Sequence, residues 1–141
     1  MKKFFHPNDK KSDDLSRAIE LACEGLVYVS ETDAPVRLFV GRSADGAIVE
    51  EILQQSGRTD DEPYEETDFS AFFDRLTVIR EWYGAPQKEM AAKFLSLQHM
   101  LEENLRDLRV YRVGRVRIDI YAVGVDRDGG LTGVMTKAVE T

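Results

Sequence analysis

The stretch RVRIDIYAVGVDRDGGLTGVMTKAVE, from Arg115 to Glu140, decides the fold of this chain. Two long extended segments flank RDGG (Arg127–Gly130), whose residue types favour a tight turn. From residue 134 to residue 141, successive side chains alternate between two faces, as they do in a strand. The pattern therefore predicts a β-hairpin that closes a sheet, with a last strand that runs almost to Thr141.

Two shorter segments upstream predict further strands. VYRVG (Val110–Gly114) joins the hairpin at its glycine, and VRLFVGR (Val36–Arg42) has Val36, Leu38 and Val40 on one face. Before them, LVYVSET reads as a short extended segment, and ADG at residues 44–46 predicts a turn.

Four segments show the apolar spacing of helices. The first begins after Ser12, which can cap it, and the second lies in AIVEEILQQSG, which ends at Gly57. The third follows Asp68 as its cap, and the fourth, a long helix, runs from about Pro86 to Leu105. The long helix carries an apolar stripe typical of core, formed by Met90, Phe94, Leu97, Leu101 and Leu105. Early helices and late antiparallel strands predict an α+β fold with helices on a mainly antiparallel sheet. We expect residues 1–11 to form a flexible arm and residues 12–141 to form one domain.

Composition limits the classes of partner. The chain has 141 residues and a net charge of −7, so nucleic acid and anionic membranes should repel it and basic surfaces should attract it. Solubility alone is the simpler explanation of that charge. Cys23 is the only cysteine, which fits a reducing compartment, and no run approaches the ~18 apolar residues of a membrane span. We expect a cytoplasmic protein.

Residue types with catalytic or metal-binding chemistry are sparse. His6 and His99 have no second ligand at a spacing typical of zinc sites, and Cys23 reads as a buried structural thiol. GGLTG (Gly129–Gly133) opens no helix, so it reads as a turn and not as a phosphate loop. The sequence therefore predicts neither an enzyme nor a bound cofactor.

Two acidic segments and one aromatic segment remain open to a binding role. TDDEPYEETD (Thr59–Asp68) is interpreted as a solvated loop with room for a short edge strand around Tyr64. VSETD, in contrast, holds Glu31 directly after a short rigid segment. In EWYG, Trp82 and Tyr83 either cover the end of the long helix or anchor a partner, because exposed aromatic residues are enriched in binding hot spots.

Several segments together resemble one known family. GLVYVSET, LQQSG, FFDRLT, EWYG, AAKF, VYRVG and TKAVET agree in order and spacing with the nuclease A inhibitor (NuiA) family over roughly Leu15 to Thr141. The resemblance implies an α-β-α sandwich. It also implies an inhibitor that occupies the active-site groove of a sugar-non-specific, Mg²⁺-dependent endonuclease of the ββα-metal class.

The resemblance further implies which residues contact the nuclease. Glu31, from VSET, and the C-terminal carboxylate of Thr141 would approach the catalytic metal, although the free protein would hold no metal. The acidic–Trp pair before the long helix corresponds to Glu81 and Trp82. The family has Asp at the first of these two positions, so Glu81 keeps the charge on a longer side chain.

Three functions from different classes stay open at this point. A nuclease inhibitor requires Glu31 and Thr141 on the same surface. A general interaction module with another partner would show an exposed Trp82 without that convergence. A small hydrolase would require a pocket of convergent titratable groups.

Overall fold

The computed structural model describes residues 7–41, 48–58 and 62–141 and contains four helices and seven strands within them. In chain order these are α1 (Pro7–Ala22), β1 (Val27–Val29), β2 (Asp33–Pro35), β3 (Arg37–Val40), α2 (Ile48–Ser56), β4 (Tyr64–Thr67), α3 (Phe69–Thr77), α4 (Ala85–Asn104), β5 (Arg106–Val113), β6 (Arg117–Val125) and β7 (Leu131–Val139).

The main sheet has five antiparallel strands in the order β3-β7-β6-β5-β4, and β1 and β2 form a separate hairpin. Strands β6 and β7 pair without interruption from Arg117 opposite Val139 to Val125 opposite Leu131. The hairpin predicted from the sequence is confirmed, and β7 lies inside the sheet, between β6 and β3.

Helices cover both faces of this sheet. Ile118, Ile120 and Ala122 of β6 face one core, which also holds buried residues of α1, α3 and α4. Tyr121 and Val123, on the opposite face of β6, belong to a second core that includes buried residues of α2. Because successive side chains of a strand point to opposite faces, β6 contributes residues to both cores. The architecture is the expected α+β fold, an α-β-α sandwich.

The long helix buries its predicted stripe. Phe94, Leu97 and Leu101 are buried, Leu105 follows directly after the last turn, and Met90 is partly buried against the same core. The Asp68 cap is also confirmed, since its carboxylate accepts a hydrogen bond from the amide of Ala71 in the first turn of α3.

The start of the first helix differs from the prediction. Helix α1 begins at Pro7, so residues 7–11 of the expected arm are helical and Ser12 lies inside the helix and does not cap it. Proline is tolerated in a first turn because its missing N–H would lack a partner there anyway. His6 and the turn predicted at residues 44–46 lie outside the described residues.

Strand β3 also differs in the face that it buries. Val40 was expected beside Val36 and Leu38, but it is exposed and Phe39 is buried instead. The Phe39 ring contacts Tyr121 edge-to-face at 5.1 Å, in the core beneath α2. Because helices cover both faces of the sheet, a residue on the second face can be buried, while Val40 ends an edge strand.

The turn between β6 and β7 is held by one buried carboxylate. Asp126 Oδ1 accepts hydrogen bonds from the amides of Asp128 and Gly130, both at 2.9 Å, and Oδ2 accepts one from the Thr132 hydroxyl at 3.1 Å. Gly129 takes a left-handed conformation with φ of 81°, which glycine adopts without strain. The turn is therefore fixed by side chain and backbone together.

We predict that Asp126→Ala lowers the free energy of unfolding by about 2–3 kcal/mol, because it removes a charged acceptor from three donors. Asp126→Asn is the matched control, since its amide oxygen still accepts from both backbone N–H groups and should lose less. Urea denaturation measures both variants. Equal stability of Asp126→Ala and the parent would contradict this account of the turn.

Candidate partner-binding surface

The turn between β1 and β2 docks on the last residue of β7. The Ser30 hydroxyl donates to the Thr32 carbonyl at 3.1 Å and accepts from the amide of Val139 at 3.0 Å. The amide of Glu31 in turn donates to the Val139 carbonyl at 3.3 Å. This turn continues the pairing of β7 beyond Arg37, the first residue of β3, and it fixes the backbone that carries Glu31.

Glu31 and Thr141 are in direct contact. Glu31 Oε2 accepts from the Thr141 amide at 3.0 Å, and Glu31 Oε1 accepts from the Thr141 hydroxyl at 2.7 Å. The two residues are 110 positions apart in sequence and both are exposed. We call Glu31 and Thr141 the acidic pair, after the two carboxylates that the resemblance assigns to them. The convergence required of an inhibitor is therefore present, whereas the role of the pair in binding remains a prediction.

A second set of contacts holds the backbone next to Thr141. The amide of Glu140 donates to the Val116 carbonyl at 2.9 Å, and the Glu140 carboxylate pairs with Arg112. Arg112 also pairs with Glu65 at 3.2 Å. Burial by itself would lower the pKa of Arg112, but its hydrogen bonds to Glu140 and Tyr28 raise it above its ordinary value. Arg112 therefore stays charged and holds residue 140 against the sheet.

The opposite face of the sheet fixes the turn that carries Val116. Arg58 Nε donates to Asp119 Oδ2 at 2.9 Å, and Arg58 Nη2 donates to the Arg117 carbonyl at 2.8 Å. Gly114 opens this turn with φ of 113°, and a Cβ there would lie 2.2 Å from the Arg117 carbonyl oxygen. Only glycine fits this position, so the turn beside Glu140 has one defined shape.

The loop between α3 and α4 carries the second predicted contact. The Trp82 side chain is 72% exposed, and its ring meets that of Tyr83 edge-to-face at 4.7 Å. Glu81 is exposed as well, while Tyr83 is partly buried. The exposure of Trp82 argues against the interpretation that it covers the end of α4, and leaves the ring accessible to a partner.

Strand directions define the two ends of the sheet. β5 and β7 both run toward the end of the sheet at which β6 begins. There, Val113 of β5 pairs with Asp119 and Val139 of β7 pairs with Arg117. Helix α4 leads into the start of β5 at the other end, where its last turns line a cleft together with Asp126 and Asp128. Glu81 and Trp82 precede the other end of α4, and their position beside Glu31 and Thr141 in one interface stays a prediction.

The long acidic stretch is not simply a solvated loop. Glu65 and Glu66 lie on β4, where they pair with Arg112 at 3.2 Å and Arg109 at 2.7 Å. Glu62 lies 3.5 Å from Arg58, and residues 59–61 are outside the described residues. Two of the six carboxylates therefore form ion pairs on the edge strand, a third pairs with Arg58, and Asp68 caps α3.

The described residues offer little to a catalytic interpretation. Burial, with a smaller effect of Glu20, raises the pKa of the Cys23 thiol to about 11, as expected of a structural cysteine. A cleft of about 730 Å³ at the opposite end of the sheet contains Ser96 and His99, but no hydrogen bond joins those two described side chains. Within the described ranges, no three His, Cys, Asp or Glu residues are grouped as metal ligands.

The comparison with protein families decides the relationship. A family model described as nuclease A inhibitor-like protein matches residues 13–141, which include the acidic pair and the EWYG loop. The chain belongs to the nuclease A inhibitor-like family. A search of curated proteins finds no match. For this family member, no helix in the described part of the chain is long and apolar enough to cross a membrane.

Sequence reasoning missed the residues that position the acidic pair in this NuiA-like domain. Ser30, Arg112 and Val116 fix its backbone from three sides, yet none of them stood out from the sequence. The one usable signal was the serine of VSET, a residue type that commonly bonds to nearby backbone.

We predict that Glu31→Ala accelerates hydrogen exchange of the Thr141 amide while changing the free energy of unfolding by no more than about 0.5 kcal/mol, because the contact is exposed. Glu31→Gln is the control, since an amide oxygen can still accept from one of the two Thr141 donors. Exchange measured by NMR would refute the contact if the Thr141 amide were equally protected in the parent and in Glu31→Ala.

Proposed function

We propose that this protein inhibits a non-specific, Mg²⁺-dependent DNA/RNA endonuclease of the ββα-metal class by occupying its active-site groove. The observation that carries the proposal is the direct contact of Glu31 with Thr141. Family membership supplies the class of partner. The chain itself would act without catalysis and without a cofactor of its own.

Charge favours this partner over nucleic acid. A nuclease that cleaves any sequence mainly contacts phosphate, so its groove must be basic. A protein with a net charge of −7 is attracted to such a groove and competes there with the substrate. Complementary charge also accelerates the encounter of the two proteins.

The acidic pair suits the position of a scissile phosphate. Mg²⁺ prefers oxygen ligands and usually keeps several waters. A carboxylate has about four lone-pair sites, so Glu31 can still accept hydrogen bonds after its two bonds from Thr141. Glu31 and the carboxylate of Thr141 would therefore present oxygens toward the nuclease's metal and its waters.

Rigidity of the pair lowers the cost of binding. Ordering a flexible segment at an interface costs about 0.5–1.5 kcal/mol for each rotamer-rich side chain. Here Ser30 and Glu140 already tie both neighbouring backbones to the sheet. The geometry offered to the nuclease therefore exists before the encounter.

The remaining expectations accompany this proposal. The single cysteine suits a reducing compartment, so we expect the inhibitor to act in the cytoplasm. Membranes are not expected partners of an acidic surface.

We predict stoichiometric inhibition of DNA cleavage when the parent protein is titrated into a Mg²⁺-dependent ββα-metal nuclease, preferably one from the same genome. Two variants test the acidic pair. Glu31→Ala removes one carboxylate, and two alanines added after Thr141 move the other about 7 Å along the chain. Both should weaken inhibition, and a Glu103→Ala variant on α4, at the opposite end of the sheet, should not.

Each result separates function from mechanism. Equal inhibition by the extended protein and the parent would discard the role of the Thr141 carboxylate while keeping the inhibitor function. Equal inhibition by Glu31→Ala would remove the role of that side chain. Absence of inhibition by the parent would refute the proposed function and favour an interaction module with another partner.

We predict that Trp82→Ala weakens nuclease binding by at least about 2 kcal/mol without lowering the melting temperature, because the ring is exposed in the free protein. Leu95→Ala, at an exposed apolar position on α4, is the control and should change neither quantity. Calorimetric titration and thermal melting are the measurements. Unchanged affinity with a lower melting temperature would support a structural role for Trp82 instead.

A further inference from the structure

Three exposed apolar side chains lie at the end of the sheet that carries the acidic pair. The exposed fractions are 70% for Val29, 49% for Val116 and 50% for Tyr64. Single exposed apolar residues are common on protein surfaces and need no explanation. These three, however, come from separate segments of the chain and lie at one end of the sheet.

Backbone contacts fix each of them relative to the pair. Val29 directly precedes Ser30, whose hydroxyl binds the amide of Val139. The Val116 carbonyl accepts from the amide of Glu140, next to Thr141. Val29 and Val116 therefore stand on opposite sides of the end of β7.

Tyr64 occupies a third side. It pairs with Val113 at the start of β4, and the Pro63 carbonyl before it accepts from the amide of Gly114. A shallow cleft of about 270 Å³ is lined by Tyr64 and Glu140 among others. Tyr64, on the outer strand, thus lines the same cleft as Glu140, the residue before Thr141.

We propose that Val29, Val116 and Tyr64 form an apolar rim that closes against the lips of the nuclease groove and seals the acidic pair from water. This rests on the proposed function and adds a second part to the interface, which family membership does not assign. Contacts that exclude water surround the energetic centre of many interfaces. Excluding water also strengthens the charge interactions inside the rim, because the local dielectric falls.

Charge selects a basic partner for this rim over the alternatives. A second copy of the chain placed on the same surface would bring two acidic pairs face to face, and like charges in an interface are unfavourable. Nucleic acid carries the same sign of charge as Glu31 and is repelled. A basic groove with apolar lips satisfies both parts of the surface.

The rim should act mainly on dissociation. Charge steers the encounter and sets much of the association rate, whereas short-range apolar contacts must be broken before the complex separates. Replacing a rim valine by threonine keeps its shape and exchanges a methyl group for a hydroxyl. Such a change should alter the dissociation rate and leave the association rate nearly unchanged.

The test uses Val29→Thr, Val116→Thr and the double variant, bound to the Mg²⁺-loaded nuclease in surface-based kinetics. Val40→Thr is the matched control, because Val40 is 53% exposed, lies on strand β3 and pairs with Thr132 toward the opposite end of β7. We expect the single variants to raise the dissociation constant about fivefold each and the double variant about 25-fold, through faster dissociation. Val40→Thr should bind like the parent.

The outcomes distinguish the rim from the inhibitor function. Parent-like dissociation of the double variant, with the parent binding tightly, would overturn the rim and leave the proposed function standing. Failure of the parent to bind would overturn the proposed function and the rim with it. Sedimentation of the free parent as a dimer that Val116→Thr converts to a monomer would also overturn the proposal, because the rim would then join copies of this chain.

Discussion

The structure depends on the position of β7 between two strands that are distant in sequence. β6 pairs along its whole length, while the other edge is shared between β3 and the turn at Ser30 and Glu31. Both faces of the strand are covered, since Val134 belongs to one core and Leu131 to the other. A shift of one residue would exchange these faces, so the two cores together fix the register. The position of residue 141 follows from that register.

This constraint explains how a surface contact can be both exposed and well defined. The Glu31–Thr141 hydrogen bonds face solvent and contribute little to global stability. Their geometry comes from the buried sheet behind them, from Ser30 on one side and from Arg112 on the other. The fold therefore supplies rigidity, and the surface remains available to supply charge. The apolar side chains at Val29 and Val116 are held by the same backbone contacts.

Patterns confined to neighbouring residues predicted most of the fold. The stripe on α4, the Asp68 cap and the β6–β7 turn all depend on residues within a few positions of one another. The α1 start was wrong because a serine resembling a cap lies within a helix that begins at proline. The contact of Glu31 with Thr141 spans 110 positions, so no local pattern could predict it, and the family resemblance implied only that both residues face the nuclease's metal. Exposed Val116 could not be predicted either, because an apolar residue in a strand-like pattern is ordinarily assigned to the core.

The late place of β7 in the chain also governs when the molecule can form. During synthesis, the edge strand β3 (residues 37–40) cannot join the sheet until residues 132–135 of β7 have been made, because no other described strand pairs with it. Such distant pairings require the closure of a long loop before their contacts stabilise the chain, and this slows folding. A nascent chain that stops before β7 lacks the middle of its sheet and the acidic pair at the same moment. The contact of Glu31 with Thr141 therefore forms only after the sheet has acquired its inner strand β7.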